Sequence, residues 1–155
     1  MSKLFYLSEI IQFAIEKEKE SFALYEGLAS KATAPESKKL FHMLMQEEQK
    51  HEDFYTKMLS HVSEERSPGA PHDAEYQSYL QELIASSRKA VKPLEDVLTN
   101  TKDAIVYAID RERDSIVFYI GLEHFVSSEE QAKVHAIARE EAKHMAMLIN
   151  LKRNF

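Results

Sequence analysis

Cysteine is absent from the 155 residues, so disulfides, thiolate metal sites and iron–sulfur modules are excluded. Any metal must be held by carboxylate and imidazole. Helix breakers are scarce, with three glycines and with prolines only at Pro35, Pro68, Pro71 and Pro93. Two long flanking regions are thereby free to be helical, and their wealth of Glu, Lys, Ala and Leu favours it. Positive charge is in deficit, since 20 Lys and Arg against 26 Asp and Glu leave a net charge of −6 and a pI near 5.7. No basic stripe for nucleic acid is expected from such a balance. Long apolar runs are also missing, which argues against a membrane span. The first residues, MSKLFYLSEIIQF, reach Glu9 too early for a secretory leader and show no small-residue cleavage site. The expectation is a mature chain in the cytoplasm. Its length suits one domain over residues 1–155.

What the chain does contain is a near-copy of itself. Residues 14–28, AIEKEKESFALYEGL, align with residues 108–122, AIDRERDSIVFYIGL, with seven of fifteen positions identical. Unrelated segments of that length share roughly one identity at ordinary residue usage. Each copy is followed by a second matched segment, EEQKH at 47–51 and EEAKH at 140–144. The chain therefore reads as two helix pairs of one design.

The pattern predicts helices over about 5–30, 35–62, 101–126 and 128–152. Pro35 suits a first helical turn. Asn100 is placed to cap the third helix, and Ser127 with Glu130 forms a capping box for the fourth. Short connections make antiparallel hairpins of 5–62 and 101–152. The intervening segment 63–100 is too long for a structureless loop, and AEYQSYLQELIASS within it is amphipathic. A crossover with one or two short helices is expected. Two hairpins joined by one long crossover make an all-α fold, the ferritin-like four-helix bundle.

The stripe of each helix that should face the core carries acid at its middle. In chain order the stripes run Leu7, Ile11, Ala14/Ile15, Glu18, Phe22, Tyr25, Leu28; Phe41, Leu44, Glu48, His51, Tyr55, Met58; Ile105, Ala108, Glu112, Ile116, Tyr119, Leu122; and Val134, Ile137, Glu141, His144, Leu148, Leu151. Four glutamates and two histidines thus fall at one level. Burying unpaired carboxylates costs several kcal/mol each, and four together repel one another. No Lys or Arg is read onto these stripes, so two divalent cations are expected to supply the positive charge. Glu–x–x–His suits this because three residues turn about 300°, which leaves both side chains on one face. One such motif is expected by chance. Two of them, in phase with each other and with the other two glutamates, are not. A glutamate from each of two helices plus Glu–x–x–His from the other two is the di-iron or di-manganese carboxylate arrangement of bundles.

The motifs AIEKE…S…LY and AIDRE…S…FY, with EEQKH and EEAKH, make the chain resemble the rubrerythrin-like branch of the ferritin-like superfamily over nearly its whole length. The resemblance implies metal ligands Glu18, Glu48, His51, Glu112, Glu141 and His144. It also implies two iron ions (manganese or zinc being the alternatives), reaction with hydrogen peroxide or dioxygen or oxidation of Fe(II), and a homodimer. The peroxidase members carry a further glutamate three residues after the third-helix ligand, where this chain has Ser115. They also often append a cysteine-bound electron-transfer domain, which this chain lacks, so electrons must come from an external donor.

Tyr25 and Tyr119 lie two turns beyond Glu18 and Glu112 and are read as catalytic-site residues, their hydroxyls aimed at a carboxylate or bound oxygen species. Tyr55, matched by Leu148, is read as core packing. Glu47 and Glu140 are read as surface ion-pair partners of nearby lysines, EKEKE and DRERD as mostly solvated, and His42, His61, His72, His124 and His135 as solvated. Gly27 and Gly121 are assigned to close helix approach. The function expected is a di-iron oxidoreductase bridged by Glu48 and Glu141. The alternatives are a ferroxidase or a non-catalytic metal-binding bundle.

Overall fold

The computed structural model describes residues 7–62 and 74–155. Helix α1 spans Leu7–Lys31, α2 Pro35–Leu59, α3 Ala74–Ala90, α4 Leu94–Val97, α5 Thr101–Leu122 and α6 Ser128–Lys152. The start expected for the first helix, His72 and the rest of residues 63–73 lie outside the described residues. No strand occurs among the described residues, and no helix there is long and apolar enough to cross a membrane.

Helix ends follow local chemistry. Pro35 opens α2. Asn100 accepts from the Asp103 amide at 3.0 Å, and Ser127 accepts from the Glu130 amide at 3.3 Å. The Glu130 carboxylate accepts from the Ser127 hydroxyl, a variant of the expected box. Two ends come earlier than expected. The Ser60 hydroxyl takes the Lys57 carbonyl and stops α2 at Leu59 rather than 62. After Leu122 the chain tightens into a 3-10 turn, Glu123–Phe125, which leaves Phe125 buried in the core.

Helices α1 and α2 pack as one hairpin, and α5 and α6 as the other. The crossover is more helical than expected, with α3 running 17 residues and inserting Leu80 and Ile84 into the core beside α5. The apolar interior has two halves. One gathers Ile11, Ile15, Tyr55, Phe118 and Tyr119; the other gathers Leu24, Leu28, Leu44, Ile105 and Leu148. Phe22, Ile116 and Leu151, read onto the stripes, are only partly buried, while Leu24 and Phe118 take fully buried places.

Gly27 is needed for a close approach, since a Cβ there would overlap Leu98 of the crossover. Gly121 is not, because its Cβ would meet Leu80 at an ordinary 3.5 Å.

Candidate metal centre

Between the two apolar halves lies a layer of ionisable groups. Glu18 from α1, Glu48 and His51 from α2, Glu112 from α5, and Glu141 and His144 from α6 are each no more than 3 % exposed. Each comes from mid-helix, where apolar turns above and below exclude water.

Both histidines turn Nδ1 inward. His51 Nδ1 stands 2.7 Å from Glu141, 3.5 Å from Glu18 and 3.5 Å from Glu48. His144 Nδ1 stands 3.0 Å from Glu48 and 3.7 Å from both Glu112 and Glu141. Two overlapping donor sets result: Glu18, Glu48, His51 and Glu141, and Glu48, Glu112, Glu141 and His144. Glu48 and Glu141 belong to both.

The fit to cations can be judged from the polar atoms left over. Glu18 Oε2, Glu48 Oε2, Glu112 Oε2, both Glu141 oxygens and His51 Nδ1 are buried without a hydrogen bond. His51 Nδ1 and Glu141 Oε1 are close, yet lack the geometry of a hydrogen bond. Spacings of this order suit donors that share a coordination sphere with bonds of about 2.0–2.2 Å. Oxygen donors with imidazole suit iron, manganese or zinc.

Electrostatics agree. Burial pushes Glu48 and Glu141 well above the usual carboxylate range, and neighbouring carboxylates push them further. Burial also acts to raise Glu112, but the adjacent Glu141, His144 and Tyr25 side chains prevail and lower it. Burial alone would lower both histidines; instead Glu141, Glu18 and Glu48 raise His51, and Glu112 raises His144. Without metal, protons must supply the missing positive charge.

Two tyrosines brace the layer crosswise. The Tyr119 hydroxyl on α5 donates to Glu18 on α1 at 2.5 Å, and Tyr25 on α1 donates to Glu112 on α5. Each hairpin therefore orients a carboxylate of the other.

A family model for rubrerythrin matches residues 9–152. The chain belongs to the rubrerythrin family. A Thermotoga maritima crystal structure, described as a ferritin-like diiron-carboxylate protein, shares the fold with a TM-score of 0.74. It is 22 % identical, and the match covers 99 % of this chain and 98 % of that one. No curated protein matches the chain.

Two features of this rubrerythrin-family chain depart from the sequence reading. Glu140 is not the partner of a lysine; its carboxylate lies 2.6 Å from His51 Nε2, the nitrogen facing away from the centre. Glu47, its counterpart in the repeat, does pair with Lys50, at 3.3 Å. The spacing ExxxH within each helix could not show this, because the contact joins α2 to α6.

The runs EKEKE and DRERD are also less solvated than expected. Lys17 and Arg111, matched in the repeat, are 2 % and 7 % exposed. Lys17 donates to Asp114 and to Ser87, each at 3.0 Å. Arg111 donates to Glu20 at 3.1 Å and to the Ser87 carbonyl at 3.2 Å. The ion pairs cross between α1 and α5 beneath α3. Both cations lie one residue before a central glutamate, about 100° around the helix, so only a third helix could bury them.

Ser115, three residues after Glu112, is a small buried residue, as the sequence suggests. Its hydroxyl bonds back to the Arg111 carbonyl at 3.1 Å and adds no donor to the centre.

Proposed function

We propose that this chain is a carboxylate-bridged di-iron oxidoreductase that reduces hydrogen peroxide or dioxygen with electrons from an external donor. One observation supports this above the others: two buried donor sets share Glu48 and Glu141, with six polar atoms left unpaired among them. Glu48 and Glu141 would bridge the two ions. Glu18 with His51, and Glu112 with His144, would complete the two ends. When bound, two ferrous ions supply the two electrons that, with two protons, convert hydrogen peroxide into two waters. Tyr25 and Tyr119 hold the end carboxylates in place and keep protons on buried hydroxyls, since burial and the nearby carboxylates raise both phenols well above their usual range. The aliphatic and aromatic turns on either side exclude bulk water. A cytoplasmic homodimer is the setting that composition and family likeness support.

The test is to replace Glu141 or His144 with Ala and measure iron per chain and the rate of Fe(II) oxidation. A substantial drop in both is expected, and unchanged stoichiometry and rate would contradict the assignment.

Ser115 supports a second reading. With no extra carboxylate at that place, a ferroxidase working on dioxygen is the rival to peroxide turnover. Rapid mixing of the ferrous protein with each oxidant distinguishes them by which reoxidises it faster.

A further inference from the structure

Tyr55 breaks the repeat at the centre. It lies four residues after His51, where the matched place after His144 holds Leu148. Its ring is fully buried, stacked on Tyr119 with centroids 5.1 Å apart and planes at 27°, and edge-on to Phe54.

Its neighbours use their hydroxyl protons on carboxylates, Tyr119 on Glu18 and Tyr25 on Glu112. The Tyr55 hydroxyl is buried and makes no hydrogen bond to any described residue. A phenylalanine would fill nearly the same volume without burying an unpaired donor. The hydroxyl therefore needs a partner that the described residues do not supply.

Geometry indicates where that partner sits. Helical side chains lean toward their helix N-terminus, so from position 55 the phenol leans back over His51. Stacking on Tyr119, whose hydroxyl reaches Glu18, sets both rings beside the same half of the centre. Burial, with the charges of Glu18, Glu141 and Glu48, holds the phenol in its proton-bearing form.

We propose that the Tyr55 hydroxyl is the hydrogen-bond donor to the small oxygen- or nitrogen-bearing ligand that binds in the His51 half of the centre. The ligand is peroxide or dioxygen in the reaction, and azide is its stable stand-in. This rests on the metal-centre reading above and adds a residue that touches substrate. It also makes the two halves unequal, because Leu148 offers the His144 half no donor.

Azide binding to the oxidised, iron-loaded protein provides the test. Wild type and Y55F are loaded in parallel, iron per chain is counted, and azide is titrated by its charge-transfer absorption. Both proteins should load fully, with azide affinity about tenfold weaker in Y55F. The wild-type azide stretching frequency should shift in D2O, and the Y55F frequency should not. A purely structural tyrosine would alter iron content or melting temperature and leave the isotope response unchanged. Equal affinity and equal isotope response in the two proteins overturn the proposal. If Y55F does not load iron, 3-fluorotyrosine at position 55 keeps the ring and sharpens the donor. Tighter azide binding then supports the proposal, and unchanged or weaker binding overturns it. Failure of the wild type to take up iron would overturn the reading of the centre itself, so the two failures are distinguishable.

Discussion

Glu140 and Glu47 are matched residues with different jobs. Glu140 sits on the outer nitrogen of His51, which fixes the ring with Nδ1 inward and makes that nitrogen a better donor once a metal displaces its proton. Replacing Glu140 with Ala should weaken metal binding at one of the two positions by about 10–100-fold. Glu47→Ala should change little, because Glu47 pairs with Lys50 at the surface. Competition against a chelator of known affinity separates the two outcomes. The same residues set a pH dependence. Without metal the neighbouring carboxylates raise His51 and His144, and burial raises Glu48 and Glu141, so all four hold their protons to higher pH than free side chains do. A metal must displace these protons, so its affinity should rise with pH and fall as the solution is acidified. Manganese titrations in buffers of different ionisation enthalpy should show proton release, and uptake without release would contradict the account. At this scale the sequence was legible where acid interrupted an apolar stripe, as at Glu18 or Glu141. It was silent at Glu140, whose partner is on another helix.

Helices α1 and α5 are joined on both sides: inward by the crossed tyrosines, outward by Lys17–Asp114 and Arg111–Glu20. Ser87 of α3 holds both cations and ties the crossover to this seam. Asp114→Asn would leave the Lys17 ammonium buried with Ser87 as its main partner. Because Asp114 is partly exposed, solvent screening limits the loss to about 1–3 kcal/mol. Lys17→Met should cost less, since Asp114 keeps Arg111 at 3.4 Å. Urea unfolding of the metal-free proteins orders the two. Gly121→Ala should stabilise by about 0.5–1 kcal/mol through helix propensity, while Gly27→Ala gains nothing net because Leu98 must move. The four long helices were legible from periodicity and caps. The seam was not, because burial of Lys17 and Arg111 depends on where α3 lies, and nothing in the local pattern of EKEKE or DRERD specifies that.

Across the whole molecule, contacts within each hairpin are extensive, and those between α2 and α6 of opposite hairpins are few. The ionisable layer spans that gap, so cations there would hold the two hairpins together. Free metal at about 100 times its dissociation constant should add about 2.7 kcal/mol per site. Calorimetry of the manganese-loaded and chelated proteins should therefore show a higher melting temperature with metal, and identical curves would count against the centre. The bundle topology was legible because the repeat betrayed two equivalent hairpins; the length of the crossover helix α3 was not, since no repeat partner marks it. The crossed tyrosines carry a historical implication. A peptide of half this length, associating with a second copy through a twofold axis, could already assemble four glutamates, two histidines and both mutual tyrosine braces. Fusion of two such genes adds no donor to that ancestral set. What it permits is divergence, and Tyr55, matched in the repeat by Leu148, is where the twins have ceased to be interchangeable.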